Sequence, residues 1–238
     1  MRQYLTIEQL RQMQDRFCHD STVMLDAGHG GLDARGRYTT DPKTGKFFDH
    51  KDKALAFHGI PNNSVFYEGV FNRILANKTR LALAKRRISA MNVYHSISDN
   101  SLQSRTDLAN AVHTATGGQT IYFSLHSNAS KARGWEIFTN IGQTRSDRLA
   151  TIVGQKVAPV FAKYGLPQRS DWSDGDLDRE RNFWVLSKTN SPAALLEVGF
   201  FDNLQDAKEI DKEQFQLELS EAIADGINQY LNEQRPTA

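Results

Sequence analysis

Three apolar runs of strand length each end in a side chain that can bind a metal or move a proton. No other feature constrains the fold as much. The runs are Val23-Met24-Leu25-Asp26-Ala27-Gly28-His29, Ile121-Tyr122-Phe123-Ser124-Leu125-His126 and Ala193-Ala194-Leu195-Leu196-Glu197. Near-continuous apolar runs of this kind suit strands buried on both faces of a parallel sheet. His and Glu are costly after so much Val, Leu and Phe unless a partner or an ion satisfies them. Two imidazoles and a carboxylate at strand ends are what a hydrolytic zinc site uses.

Helical patterns fill the intervals. Tyr67, Val70, Phe71, Ile74 and Leu75 recur at helical spacing, as do Leu149, Ile152, Val153, Val157, Val160 and Phe161, with Pro159 expected to kink the second helix. Leu102, Leu108, Ala109 and Val112 predict a helix stopped by Gly117-Gly118, and Phe215, Leu219, Ile223, Ile227 and Leu231 a terminal one. Further strands are expected over Asn92–Ile97, Trp135–Thr139 and Phe183–Leu186, and a short amphipathic helix within residues 1–22. Alternating elements of this kind predict an α/β fold: a twisted, mostly parallel sheet flanked by helices on both faces, in a single domain over residues 1–238.

Bulk properties exclude several classes. The 29 basic and 28 acidic residues give a net charge of +1, with no electrostatic footprint for nucleic acid. No apolar run approaches the ~20 residues of a membrane span, so no stable membrane insertion is expected. Cys18 is the only cysteine, which excludes an internal disulfide or a Cys-rich metal site. Residues 1–22 are too polar for a secretory signal.

Residues 32–62 break the rhythm, with Gly36, Pro42, Gly45, Gly59, Pro61 and many charges. A long aperiodic stretch is usually functional, and this one is expected to lie over the site. Ligands in α/β sheets gather beyond the carboxyl ends of the strands, where His29 and His126 both arrive. An open zinc site needs a third ligand. Glu68 is the choice, at the start of the first long helix, where the dipole favours its charge; Asp33, Asp49, Asp52, His50 and His58 are rivals that spacing does not exclude. Glu197 is then the catalytic carboxylate, with burial expected to raise its pKa towards neutrality.

These residues also carry a resemblance. Asp26-Ala27-Gly28-His29-Gly30-Gly31, Phe66-Tyr67-Glu68, Arg105 with Ala109-Asn110, Ser124-Leu125-His126-Ser127-Asn128-Ala129, and Leu196-Glu197-Val198-Gly199-Phe200 with Asn203 resemble the zinc-dependent N-acetylmuramoyl-L-alanine amidases of the Amidase_3 type, over roughly residues 22–232. The resemblance implies one Zn2+ held by His29, Glu68 and His126, with Glu197 as proton shuttle. The substrate it implies is peptidoglycan, cut between the lactyl group of N-acetylmuramic acid and L-Ala. The 32–62 stretch then reads as an insertion between the first two ligands. A monomeric phage endolysin is expected, made in the host cytoplasm and reaching the wall after membrane breach; an exported bacterial enzyme is the alternative. Rival activities are a zinc carboxypeptidase of stem peptides and an inactive peptidoglycan-binding module.

Other residues read more plainly. Arg105 is expected to anchor a buried carboxylate, and Asn128 to be a turn residue or a wall of the site. His95 and His113 suit packing or surface roles. Trp135, Trp172 and Trp184 could form a sugar platform but suit the core better, and Asp171–Asp178 is acidic enough for calcium yet lacks an EF-hand's closing Glu.

Overall fold

Strict alternation along the central strands decides which helices cover which face. The computed structural model describes residues 21–36, 54–56, 65–173 and 175–234; the expected helix within residues 1–22, along with His50 and His58, lies outside the described residues. Strands β1 (Thr22–Ala27), β4 (Ser89–Asn92), β5 (Thr120–Asn128), β6 (Glu136–Thr139), β7 (Arg179–Glu180) and β8 (Ala193–Phe200) form one sheet in the order β4-β1-β5-β8-β6-β7. All neighbours are parallel except β6 and β8.

Val23, Leu25, Ile121, Phe123, Leu125, Ala194, Leu196 and Val198 point into the larger core. There they meet α1 (Glu68–Lys85) through Phe71 and Leu75, α3 (Arg145–Lys163) through Leu149, Val153 and Phe161, and α6 (Glu213–Glu233) through Phe215, Ile223 and Ile227. The intervening Met24, Tyr122, Ala193 and Leu195 point the other way. They pack against Ala109 of α2 (Leu102–Ala115) and Val185 and Leu186 of α4 (Trp184–Ser187). Both faces are therefore covered, as the apolar runs require.

Several expectations shift. Phe183–Leu186 is not a strand: Trp184–Ser187 is a helical turn, which lets the adjacent Val185 and Leu186 both reach the core where a strand would send them to opposite faces. The strand expected over Asn92–Ile97 ends at Asn92, because His95 Nδ1 accepts the Ile97 and Ser98 N–H groups and turns the chain. The strand expected from Trp135 begins at Glu136; Trp135 makes a lone bridge to Gln168 and stacks on Phe161. Helix α3 is continuous through Pro159, and Ile74 of the predicted α1 stripe is 42% exposed.

The segment between the first two ligands is not wholly aperiodic. Within it β2 (Ala54–Ala56) pairs antiparallel with β3 (Val65–Tyr67), and β3 runs directly into Glu68. Helix α5 (Leu204–Ile210) follows β8, capped by Asn203, whose side chain accepts the Gln205 and Asp206 N–H groups.

Candidate metal centre

Strand β1 ends one residue before a constrained turn. The Gly28 N–H bonds to Leu125 O, continuing the pairing with β5. A Cβ at Gly28 would lie 2.0 Å from Cε1 of His126, so only glycine permits this approach. His29 itself adopts φ +62, a left-handed conformation that a non-glycine residue holds only when its surroundings impose it. The surroundings do so by gripping carbonyls. Arg105 donates to Ala27 O at 2.7 Å and to His29 O at 3.4 Å, and Asn72 donates to Gly28 O.

Helix α1 carries Glu68 to the same place. A Cβ at the next residue, Gly69, would stand 1.9 Å from Gly30 O, so the helix start is pressed against the His29 turn. Glu68 Oε1 lies 3.3 Å from His29 Nε2 and 3.2 Å from His126 Nδ1, and it also accepts the Ser127 N–H. The two imidazoles meet edge to face at 5.1 Å. A zinc ion with ligands at 2.0–2.1 Å in a tetrahedron separates adjacent donors by about 3.3 Å. The two nitrogens, the carboxylate oxygen and their spacing therefore fit such an ion. One donor atom from each of His29, Glu68 and His126 falls within 4.8 Å of the others.

The electrostatics match. Burial opposes ionisation of Glu68, but the charge of His29 and hydrogen bonds from both imidazoles outweigh it and hold the carboxyl well below its ordinary range. For His126, burial disfavours the cation, yet the hydrogen bond to Glu68 and the charges of Glu197, Glu68 and Asp26 raise its pKa above the ordinary 6.5. Beneath it Asp26 is ionised despite burial, chiefly through Arg105, with His126 and Ser124 assisting. Glu197 is half-buried and pairs in register with His126 across β5 and β8, on the face shared by Ala193 and Leu195. A cleft of about 260 Å³, lined in part by His29, His126, Asn100 and Arg105, opens on the two imidazoles.

A family model described as N-acetylmuramoyl-L-alanine amidase matches residues 23–229. The chain belongs to that family. It is 28% identical over 217 residues to a sporulation-specific N-acetylmuramoyl-L-alanine amidase of Bacillus subtilis, a match covering 88% of the chain and 68% of the relative. An endolysin of Bacillus phage SPP1 is 26% identical, covering 88% of the chain and 66% of the relative. The chain thus spans about two thirds of the length of these two curated relatives. Among solved structures, an N-acetylmuramoyl-L-alanine amidase from Clostridium difficile 630 superposes with a TM-score of 0.66 at 26% identity, covering 91% of this chain and 100% of that one. The catalytic domain of CwlV from Bacillus (Paenibacillus) polymyxa gives 0.65 at 27%, covering 89% and 98%.

In this amidase-family chain the structure brings together His29, Glu68 and His126 and sets Glu197 beside them. Of the rival ligands, Asp33 is not among the convergent donors, and Asp49, Asp52, His50 and His58 lie outside the described residues. Arg105 does anchor a buried carboxylate, that of Asp26, at 2.6 Å. Trp135 is core, while Trp172 and Trp184 are exposed. His113 bonds Thr120. Asp176 and Asp178 approach Asp147 of α3, a neighbour that the acidic run itself did not suggest.

Sequence reasoning missed Glu136. It is 5% exposed, directly opposite Glu197 in the β6–β8 pair, and it accepts from Asn128 Nδ2 at 2.8 Å. Asn128 closes β5, and its side chain is spent on Glu136 and on the Ala129 N–H. The available signal was the one used elsewhere: an acid beside an apolar run, here in Trp135-Glu136-Ile137-Phe138.

Proposed function

We propose that this protein is a zinc-dependent peptidoglycan amidase, cleaving the bond between the lactyl carbonyl of N-acetylmuramic acid and the nitrogen of L-Ala. The observation that carries the reading is the single oxygen of Glu68 within 3.3 Å of both imidazoles, with Glu197 registered against one of them. His29, Glu68 and His126 would hold the ion. When bound, it supplies a Lewis acid for the scissile carbonyl and acidifies water at neutral pH.

The chain's own residues do the rest. The Arg105 and Asn72 contacts fix the backbone that aims His29. Asp26, two residues before His126's glycine neighbour, places a fixed negative charge behind the imidazole. Glu197 takes the proton of the attacking water and returns it to the leaving nitrogen, which as a free amide anion would not depart. Residues 1–238 act as one catalytic domain in this reading, with 32–62 as an insertion between the first two ligands. The likeness to a phage endolysin supports a lytic role at the bacterial wall, and no helix among the described residues is long and apolar enough to cross a membrane.

Digestion of purified walls tests this. Mass spectrometry is expected to find intact stem peptides with a free L-Ala amino terminus. Glu197→Gln is expected to lose at least about 100-fold in kcat while keeping one zinc per chain, whereas Glu68→Ala loses the zinc. Peptides shortened at their carboxyl ends would favour the carboxypeptidase reading instead, and digestion undiminished by exhaustive chelation would end the metal mechanism.

A further inference from the structure

Asp147 in the first turn of α3, and Asp176 and Asp178 just before β7, form a second group of converging acids. Each offers one carboxylate oxygen, and the three atoms lie within 4.8 Å of one another. Asp178 is 1% exposed. Its Oδ2 accepts from Thr139 Oγ1 at the end of β6, and Asp147 Oδ2 accepts the Thr144 N–H in the capping box. The other oxygen of each, Oδ1, is buried with no hydrogen-bond partner. Folded proteins leave few buried polar atoms in that state, and a bound ion is one of the recurring reasons.

The local charge points the same way. The neighbouring charges that act most on Asp178 are those of Asp176 and Asp147, and both disfavour its ionised form. Arg179, the next residue, is turned to Glu136, its Nη1 3.4 Å from Oε1. Crowded carboxylates repel one another unless a cation lies among them. Donor sets made only of oxygen select hard cations. Calcium binds oxygen at about 2.3–2.6 Å, so two oxygens of one shell stand at most about 4.6–5.2 Å apart, which the group satisfies. The half-buried Asp176 also lines a cavity of about 1070 Å³, together with Trp172, Gln155 and Gln168. That opening admits the ion and the waters that complete its shell.

We propose that Asp147, Asp176 and Asp178 bind one calcium ion, at a site separate from the metal centre of His29, Glu68 and His126. The ion joins the first turn of α3 to the chain entering β7, with Thr139 of β6 holding Asp178 in place. Its role is to fasten these elements, since none of the three aspartates lines the cleft at the two imidazoles. The site stands whether or not the amidase reading holds.

The test adds calcium chloride to the zinc-loaded full chain in buffer stripped of calcium. Calorimetry is expected to find one calcium site per chain with Kd below about 1 mM, while the zinc content stays unchanged. At a free concentration tenfold above Kd, the thermal midpoint is expected to rise by about 3–6 °C. Sodium chloride of matched ionic strength should not reproduce the rise. Asp178→Asn keeps an acceptor for Thr139 but loses the charge, and is expected to weaken calcium binding at least about tenfold. Asp176→Asn, at a half-buried position, should do the same and serves if Asp178→Asn does not fold. Asp171→Asn, in the same acidic run but outside the group, is expected to keep the parent's response. A parent with neither heat nor shift overturns the site and leaves the aspartates sharing a proton instead. A shift matched by sodium chloride, accompanied by loss of zinc, or retained in both Asp176→Asn and Asp178→Asn overturns it equally.

Discussion

The carboxylate of Asp26 and the guanidinium of Arg105 meet at 2.6 Å, each 1% exposed, beneath the turn that carries His29. The same guanidinium binds Ala27 O, His29 O and Asp99, so one side chain joins β1, the first ligand and the start of α2. Removing one partner of a buried pair leaves an uncompensated charge, at a cost of about 3–5 kcal/mol. Arg105→Met is therefore expected to lower unfolding stability by that amount, read from the denaturant midpoint, and to weaken metal binding. A variant as stable as the parent would mean that Asp26 finds compensation elsewhere.

Gly28→Ala isolates geometry from chemistry. The new methyl group would overlap the His126 ring, which must swing away from Glu68. Disturbing the support of a ligand usually costs 10–100-fold in metal affinity. Competition with a chromophoric chelator is expected to show a loss of about that size, and unaltered affinity would show that the imidazole can relax in place.

Metal binding should begin to weaken at a higher pH than an ordinary histidine would make it. His126 must be neutral to ligate, and its pKa is raised above 6.5. Apparent affinity is expected to begin falling above pH 6.5 as the solution is acidified. The metal-free protein has the opposite trend in stability: the His126–Glu68 interaction is fully present below the unfolded value of 6.5 and is lost as pH rises through the higher folded value. Glu68, whose folded pKa is depressed, contributes above its unfolded value and loses that contribution only in stronger acid. Thermal melts in chelator across pH 5 to 9 check this, and melts independent of pH would contradict it.

Asp178 makes a separate prediction. Burial, foremost, and the neighbouring Asp176 raise its pKa from 3.8 to about 8, against the opposing hydrogen bond from Thr139. Between those values the folded state keeps a proton that the unfolded chain has released, so stability falls as pH rises. Asp178→Asn removes the titration. Its advantage over the parent is expected to be largest at pH 8 and to shrink towards pH 4, measured by urea unfolding in chelator because the same three carboxylates could share a cation. A difference constant with pH would refute the assignment.

The sequence exposed what local order can encode. The runs ending in His29, His126 and Glu197 announced buried parallel strands, because only such strands need apolar residues on both faces, and the polar ends then had to lie at one rim. Glu68 was a candidate from its position at a helix start, but the sequence left its rivals in the 32–62 stretch open. Where short segments were ambiguous, tertiary packing overrode composition: Phe183–Leu186 looks β-like, yet one helical turn buries Val185 and Leu186 together.

Three relationships lay beyond the sequence because each depends on which residues become neighbours across the sheet. The strained turn at His29 depends on Arg105 and Asn72, distant in the chain, gripping its carbonyls. The antiparallel insertion of β6 beside β8 puts Glu136 opposite Glu197. The chain after α3 and strand β7 then bring Arg169 and Arg179 to Glu136. Periodicity fixes the face a side chain takes within its own strand; strand order and direction, set by the packing of the whole chain, decide which charges that face brings together.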